Sequence, residues 1–384
     1  MAQSLSDNVQ LLPPDAERPV IKPIPTQLDV AQLDLTALLT PAVDSRIAAA
    51  DVLKRQPLAF ERSPAPAPTQ KTLGTISEQE ALSAAIDVNE LSADGVNLPI
   101  NSSFDLAAFG KYSPPSRTSS RFFFPFNRII GTPEDDDITG TLKNDFISGL
   151  AGDDTMRGDN GNDIIVGGAG NDIISGDHVP SRTTISNDII AGGSGNDKLF
   201  GRIGNDLIFG GSDDDQIFGG SGRDNLYGGS GNDQMFGGIV EGDAIFNSGP
   251  DGDDRMVGGS GNDFLDGGIG SDYIDGSNSY AKGAGEVDLL SGGQGADTFV
   301  LGSYAGAYYV QGGANQDFAI ILDFEQGDTV QLYGEAADYV LSYDSTENAT
   351  AIGYLGSGSY EFVGVFAGQD LSHISTTDAI FQYL

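Results

Sequence analysis

A nine-residue pattern recurs sixteen times between Gly131 and Val300, and it restricts the fold more than any other feature of this 384-residue chain. Its form is G-G-x-G-(N/D)-D-x-U-x, where U is a bulky apolar residue, and residues 161–175 read GNDIIVGGAGNDIIS. Every copy keeps Asp at position 6 and an apolar residue at position 8. A period this short and regular indicates a solenoid, in which each repeat packs on its neighbours.

The last three positions of the repeat are long enough for a short β-strand. Side chains alternate between the faces of a strand, so position 8 would point into the core while positions 7 and 9 point outward. The preceding glycines and Asn or Asp suit a tight turn, because these residues tolerate positive φ. Two repeats would complete one coil of eighteen residues. The pattern therefore predicts an all-β fold, a solenoid of parallel strands.

Asp at position 6 would recur along each edge of such a roll. Coils stack about 4.8 Å apart, so uncompensated carboxylates at that spacing would repel one another strongly. A hard cation with about six to eight oxygen ligands would remove the repulsion by bridging carboxylates and turn carbonyls of adjacent coils. Open glycine turns favour Ca²⁺ over Mg²⁺, which requires octahedral geometry and retains its waters. The alternative, a metal-free solenoid with solvated edge charges, has no need for Asp at a fixed position.

These residues resemble the RTX (repeats-in-toxin) haemolysin-type calcium-binding repeat. The resemblance implies that residues 131–300 form a right-handed parallel β-roll holding multiple Ca²⁺ ions, with the position-6 aspartates and glycine-turn carbonyls as ligands. The implied ligands are Asp136, Asp145, Asp154, Asp163, Asp172, Asp188, Asp197, Asp206, Asp215, Asp224, Asp233, Asp254, Asp263, Asp272, Asp288 and Asp297. Position 4 is not glycine in five repeats, where weaker calcium binding is expected. These repeats begin at Gly131, Gly140, Gly176, Gly210 and Gly276.

The net charge of −37 is concentrated in the repeats, which hold 31 acidic and 8 basic residues. Without bound cations this charge opposes compaction, so folding should depend on calcium. Extracellular calcium modules have dissociation constants on the order of 10⁻⁴ to 10⁻³ M and would be empty in the cytosol. The chain has no cysteine, so calcium would supply the cross-linking that disulfides give other secreted proteins. We therefore expect a secreted protein, extracellular or at the cell surface, that folds on meeting extracellular calcium.

Composition changes before the repeats begin. Residues 1–120 are broken by proline, as in PAPAP at 64–68, and predict a largely disordered leader with short local helices. Residues 121–130 are rich in phenylalanine and predict an N-terminal aromatic cap, because a solenoid must cover the open end of its core. A partner site is the alternative interpretation of these aromatics. They are Phe122, Phe123, Phe124 and Phe126.

Insertions at 177–186, 239–252 and 277–286 interrupt three repeats, and Asp returns in register after each. They predict loops at the edge of the roll, either tolerated insertions or recognition loops. Residues 301–384 contain short apolar runs separated by Gly, Asp and Asn, and they predict a cap of antiparallel β-strands. This segment has no Lys or Arg. It resembles the segment that closes RTX proteins, especially cyanobacterial ones, which implies an uncleaved C-terminal signal for a type I exporter.

The sequence motifs of several enzyme classes are missing. Neither the zinc-protease motif H-E-x-x-H nor the nucleophile motif G-x-S-x-G occurs, and the two histidines are isolated. We therefore expect a structural or adhesive protein rather than an enzyme. The alternatives are a secreted hydrolase and a membrane-active toxin, although no apolar run is long enough to span a membrane. The acidic charge argues against nucleic acid as a partner.

Position 9 is aromatic in five successive repeats. The residues are Phe200, Phe209, Phe218, Tyr227 and Phe236. Alternation would place three of them on one sheet, where stacking of the rings could stabilise that sheet. The alternative is an exposed stripe through Phe200, Phe218 and Phe236 that binds a surface glycan or another copy of the chain.

Overall fold

A computed structural model describes most of the chain from residue 126 onward. The described residues are 126–177, 186–238, 251–277, 283, 285–310, 317–356 and 361–384. The predicted leader and most of each insertion lie outside them. The described part is all-β apart from a short 3-10 helix, Ala336–Asp338. None of its helices has the length and apolar character needed to cross a membrane.

The described residues form twenty-five β-strands, most of them three to seven residues long. In chain order they are β1 (Asn127–Ile130), β2 (Asp137–Thr139), β3 (Asp145–Ala151), β4 (Thr155–Arg157), β5 (Ile164–Ala169), β6 (Ile173–Ser175), β7 (Ile189–Ser194), β8 (Lys198–Ile203), β9 (Leu207–Ser212), β10 (Gln216–Ser221), β11 (Asn225–Ser230), β12 (Gln234–Phe236), β13 (Arg255–Ser260), β14 (Phe264–Gly270), β15 (Tyr273–Asp275), β16 (Val287–Gly295), β17 (Thr298–Val300), β18 (Gly302–Ser303), β19 (Gly306–Ala307), β20 (Phe318–Ile321), β21 (Thr329–Leu332), β22 (Tyr339–Asp344), β23 (Ala349–Tyr354), β24 (Glu361–Ala367) and β25 (Phe381–Tyr383).

Successive strands alternate between two sheets. The odd sheet has 11 strands and contains the odd-numbered strands from β1 to β17, followed by β21 and β25. The even sheet has 12 strands and contains the even-numbered strands from β2 to β16, followed by β20, β24, β23 and β22. Each repeat pairs in parallel with the repeat one coil later, as where Ile217 pairs with Met235 and Phe218 with Phe236. This register confirms the predicted parallel β-roll.

Most strands of the roll are longer than the three residues that the repeat predicts. β4 has that length, whereas β5 runs on through the first three positions of the next repeat. Glycine at position 2 therefore takes part in strand pairing, as where Gly193 pairs with Gly168. Gly193 has a φ of 122°, and a Cβ there would clash with the carbonyl oxygen of Gly168. Close stacking of the coils needs glycine at such a position.

The apolar residues at position 8 form a continuous core between the two sheets. Fifteen of the sixteen side chains are 0% exposed, and Ile138 in the first repeat is 8% exposed. This confirms the predicted inward direction of position 8. Ile129 of β1 packs against the first end of the core. Of the four phenylalanines in the predicted cap, only Phe126 lies within the described residues, and it is half-buried.

The C-terminal segment combines parallel and antiparallel strands. β20 and β24 extend the even sheet in parallel, and β21 and β25 extend the odd sheet in the same way. Antiparallel pairing joins β22 to β23 and β23 to β24. The predicted antiparallel cap is confirmed for these pairs and wrong for the parallel continuation. Apolar residues such as Val330, which pairs with Phe299, continue the core of the roll beyond the last repeat.

Candidate metal centre

The sixteen predicted aspartates form two columns, one along each edge of the roll. The first column contains Asp136, Asp154, Asp172, Asp197, Asp215, Asp233, Asp263 and Asp288. The second column contains Asp145, Asp163, Asp188, Asp206, Asp224, Asp254, Asp272 and Asp297. Within each column, the backbone N–H of every member but the last donates to Oδ1 of the member one coil later, at 2.7 to 2.9 Å. One carboxylate oxygen of each member after the first, fourteen of the sixteen, thus joins adjacent coils.

The other carboxylate oxygen, Oδ2, is buried and has no hydrogen-bond partner in thirteen of the sixteen repeats. The thirteen side chains are 0 to 2% exposed. They are all the members of both columns except Asp136, Asp145 and Asp288. An ionised oxygen buried without a partner costs several kcal/mol or more, and the cost accumulates along a column of like charges. The folded chain therefore requires a positive charge or a proton at each of these oxygens.

A backbone carbonyl lies beside each unpartnered oxygen over most of the roll. A Cβ added to Gly219 would lie 2.5 Å from Oδ2 of Asp224 and 2.6 Å from the carbonyl oxygen of Gly237, one coil later. Glycine at position 1 keeps this space open, whereas a larger residue would fill it. A carboxylate oxygen and a carbonyl oxygen therefore face the same small space, and these are the ligand types that Ca²⁺ prefers.

The side chains alone do not make a metal cluster. Within the described ranges, no three side chains of Asp, Glu, His or Cys come together in a group that could hold a metal ion. Backbone carbonyls must then supply a large share of the ligands for any ion at the columns. This donor set of oxygens only fits Ca²⁺ and does not fit a structural Zn²⁺ site, which is built from four Cys or His ligands.

Burial raises the pKa of the thirteen carboxyl groups whose Oδ2 is unpartnered, because a low-dielectric environment disfavours the charged form. The pKa of Asp197 rises to about 8, and the pKa values of Asp215 and Asp254 rise to about 9. Repulsion from column neighbours adds to the effect, as Asp224 does at Asp254. The backbone N–H that each carboxylate accepts lowers the pKa only in part. A protonated carboxyl is thus the metal-free alternative to a carboxylate that binds a cation.

Position 5 forms a second ladder, which the repeat pattern did not predict. Oδ1 of Asn171 accepts the backbone N–H of Asn196 at 2.8 Å, and Oδ1 of Asp214 accepts that of Asn232 at the same distance. We expected Asn or Asp there only for the turn conformation. The signal available in the sequence was an acceptor oxygen in the position-5 side chain of thirteen of the sixteen repeats, all but those with Arg223, Val287 and Ala296. This ladder lies at the exposed surface and orders the turns without a cation.

The aromatic residues at position 9 do not form an exposed stripe. Phe200, Phe218 and Phe236 are 5%, 7% and 4% exposed. Their rings stack in sequence with centroids 5.0 and 5.1 Å apart, and Phe209 stacks on Tyr227 at 5.1 Å on the odd sheet. The predicted binding stripe for a glycan or a second copy is therefore wrong, because the rings are buried against their neighbours. The other interpretation, stacking of the rings along one sheet, is confirmed.

The columns coincide with a known calcium-binding repeat. A family model of the RTX calcium-binding nonapeptide repeat matches residues 130–165, 157–177, 183–217, 209–239, 248–279 and 282–303. These repeats belong to the RTX calcium-binding family. RTX nonapeptide repeats bind multiple Ca²⁺ ions, so the donor set and the family point to the same metal.

Among solved structures, the chain is similar to the extracellular lipase LipA from Serratia marcescens. The two share 18% sequence identity, and the match covers 68% of this chain and 40% of the lipase with a TM-score of 0.17. The chain thus spans less than half the length of that protein, and a likeness this weak says nothing of activity. No curated protein matches the chain.

The five RTX repeats without glycine at position 4 fall into two groups. In three of them the carboxylate oxygens accept hydrogen bonds from nearby donors of the chain, at Asp136, Asp145 and Asp288. In the other two, Oδ2 of Asp188 and Oδ2 of Asp215 are buried and unpartnered as in the regular repeats. The expectation of weaker binding at all five turns thus rests on an observed difference at three of them.

Proposed function

We propose that this chain is a secreted calcium-binding repeat protein that folds when it meets extracellular calcium. The observation that supports this most is the set of thirteen buried, unpartnered carboxylate oxygens, most of them with a glycine carbonyl beside them. Sites with dissociation constants on the order of 10⁻⁴ to 10⁻³ M stay empty at cytosolic calcium and fill outside the cell. Folding would then follow export.

In this proposal, calcium supplies the positive charge that lets stacked carboxylates remain ionised. The chain does the rest: Oδ1 of each Asp after the first in its column accepts a backbone N–H from the preceding coil, Oδ2 faces the cation, and glycine carbonyls complete its ligands. The aspartates of the two columns are the side chains that we propose for this role, except Asp136, Asp145 and Asp288, whose Oδ2 already accepts a hydrogen bond from the chain. At ten times the dissociation constant each site adds about 1.4 kcal/mol, so a dozen sites add roughly 17 kcal/mol, which exceeds the usual stability of a domain.

A calcium titration followed by circular dichroism and size measurement tests the proposal, with Mg²⁺ as the control cation. We expect β structure to form in Ca²⁺ and not in Mg²⁺. Asp215→Asn should shift the folding midpoint to higher calcium, because it removes a buried charged ligand. Asp214→Asn is the matched control: it removes one charge at the adjacent, exposed position 5 and keeps the Oδ1 acceptor for Asn232. A chain equally folded in chelator would overturn the proposal.

We also propose that a type I exporter carries the chain out of the cell. The support is the RTX family of the repeats and the absence of Lys and Arg from residues 301–384, where we place the export signal. Deletion of residues 301–384 should abolish secretion from cells that carry the exporter, while the shortened chain accumulates inside. Continued secretion of the shortened chain would contradict this route.

A structural or adhesive role without catalysis completes the proposal. Its support is that the column carboxylates, which are the residues best suited to acid–base chemistry, are already engaged in joining coils through Oδ1. We expect the calcium-loaded chain to assemble or to adhere to cell-surface material, and to leave ester, peptide and glycoside substrates unchanged. Turnover of any of these substrates by the pure, calcium-loaded chain would remove this part of the proposal.

A further inference from the structure

The two columns differ at their ends from their interior. The interior members are the thirteen aspartates whose Oδ2 lacks a partner. The second column extends one coil beyond the repeats, because Oδ1 of Asp328 accepts the backbone N–H of Asp297 at 3.0 Å. The ends are therefore Asp136 and Asp288 in the first column, and Asp145 and Asp328 in the second. At all four ends, Oδ2 accepts a hydrogen bond from the chain.

Threonine closes the first end of each column. Thr132 donates to Oδ2 of Asp136 from its backbone N–H at 2.6 Å and from its hydroxyl at 3.0 Å. Thr141 donates its backbone N–H to Oδ2 of Asp145 and its hydroxyl to Oδ1 at 3.1 Å. Both threonines stand at position 2, where no interior repeat has Thr or Ser. The first two repeats thus carry hydroxyl donors at position 2 that the interior repeats lack.

Tyr309 closes the other end of the first column. Its side chain is fully buried, and its hydroxyl donates to Oδ2 of Asp288 at 2.6 Å. A Cβ added to Gly276 would lie 2.8 Å from this hydroxyl oxygen, whereas a Cβ added to Gly258, one coil earlier, would meet the carbonyl oxygen of Gly276. The phenol oxygen therefore takes the place of the carbonyl that a further RTX coil would supply.

The surroundings of Tyr309 are adapted to this position. A Cβ on Gly283, within the third insertion, would clash with the Tyr309 ring, so glycine makes room for it. The coil after Asp288 has Ala319 in register with that residue, so the first column has no further carboxylate. In the second column, Oδ2 of Asp328 accepts the backbone N–H of Glu325 at 2.6 Å.

We propose that these donors determine where calcium binding along the two columns begins and ends. At Asp136, Asp145 and Asp288, hydroxyl or amide hydrogens of the chain occupy the place of the cation, so these three repeats bind no calcium. The thirteen interior aspartates are the calcium ligands. A charge-assisted hydrogen bond satisfies an end carboxylate without a metal ion, whereas an interior carboxylate has no such donor. The inference rests on calcium binding by the interior repeats and specifies where that binding stops.

The number of bound ions in two matched variants of the full chain tests the inference. Asp288→Asn and Asp263→Asn lie one coil apart in the same column, remove the same buried charge and keep an Oδ1 acceptor. Native mass spectrometry, or equilibrium dialysis against ⁴⁵Ca²⁺, should count the same number of ions in Asp288→Asn as in the wild type. Asp263→Asn should lose at least one ion. Loss of an ion from Asp288→Asn, or no loss from Asp263→Asn, would overturn the inference.

Tyr309→Phe provides a second measurement, with Tyr304→Phe as its control because Tyr304 is 83% exposed. Removing the hydroxyl leaves Oδ2 of Asp288 buried without a donor, so the melting temperature in saturating calcium should fall. The number of bound ions should stay the same or rise by one. A lower ion count would identify Tyr309 as a calcium ligand. An unchanged melting temperature would show that the hydroxyl does not stabilise the carboxylate of Asp288. Either result overturns the inference.

The outcome is separable from that of the proposed function. If the wild type folds equally well in chelator, calcium-dependent folding fails as a proposal. The comparison of ion counts between Asp288→Asn and Asp263→Asn still decides the inference, because it requires only that the folded chain binds calcium.

Discussion

The interior repeats and the C-terminal coils share parallel strand pairing and one continuous core, yet different interactions hold them together. The interior repeats bury carboxylate oxygens that the chain leaves without partners. The C-terminal coils bury a second apolar cluster that includes Phe318, Ile320 and Val365, and Asp328 accepts two backbone N–H groups. One solenoid geometry can thus be stabilised by metal ions or by apolar burial. Only the interior repeats, which we expect metal ions to stabilise, should respond to calcium.

The largest expected difference between the two regions is their loss of hydrogen-exchange protection when calcium is removed. As free calcium falls, we expect backbone amides of β5 to β14 to lose their protection first, since their carboxylates then repel without compensation. Amides of β20 to β24 should keep their protection down to lower calcium concentrations, because these strands are stabilised by buried apolar side chains. Hydrogen exchange with mass spectrometry along a calcium series measures both regions in one sample. Loss of protection at the same calcium concentration in both regions would remove the distinction.

The second effect is a pH dependence confined to the repeats. In the folded, metal-free chain, burial raises the pKa of Asp172 to about 6, of Asp272 to about 7 and of Asp215 to about 9. The folded state therefore holds protons that the unfolded chain releases near its ordinary pKa of about 4. The stabilisation is fully present below that value and is lost as the pH rises through about 6 to 9. A carboxyl raised to about 7 contributes on the order of 4 kcal/mol at most.

In chelator, the chain should accordingly gain β structure when the pH is lowered from about 8 to about 5. Circular dichroism measures the gain, and hydrogen exchange should place it in the repeats rather than in β20 to β24. In saturating calcium the dependence should reverse, since protons then compete with the metal for the carboxylates. A metal-free spectrum that is the same at both pH values would contradict the argument.

The third effect concerns the stacked rings of the even sheet. Phe218 lies between Phe200 and Phe236, so Phe218→Ala should cost about 3 to 5 kcal/mol and lower the melting temperature in calcium by roughly 6 to 20 °C. Tyr304→Ala, at an exposed side chain, is the control and should change little. Differential scanning calorimetry in saturating calcium measures the shifts. Equal melting temperatures for the two variants would show that the stack adds no stability.

Sequence periodicity was sufficient to predict whatever repeats with the nine-residue period. Position 8 is apolar in every copy, and the structure buries it; Asp at position 6 forms the predicted columns. The sequence did not decide whether Phe218 is buried, because alternation gives the direction of a side chain and not the residues that cover it. Tyr309 had no signal at all, since its contact with Asp288 joins a residue outside the period to one inside it. Ends of a repeat array depend on such contacts, which no period encodes.

The smallest expected effect is at the surface of the second edge, where Arg223 stands at position 5 in place of Asn or Asp. Its backbone N–H still donates to Asn205 Oδ1 at 2.8 Å, but its side chain has no acceptor for the next coil. Instead, its guanidinium pairs with Asp253 at 2.6 Å, with the two side chains 66% and 51% exposed. An ion pair this exposed contributes about 0.2 to 1 kcal/mol and is screened by salt.

Arg223→Ala should therefore lower the melting temperature of the calcium-loaded chain by at most about 4 °C, and high salt should abolish the difference from the wild type. Arg223→Asn is the informative partner, because its Oδ1 can accept the backbone N–H of Asp253 as position 5 does elsewhere in the roll. We expect it to match or exceed the wild type at every salt concentration in calorimetry. If Arg223→Asn is as unstable as Arg223→Ala, the position-5 ladder adds nothing to the stability of the turns.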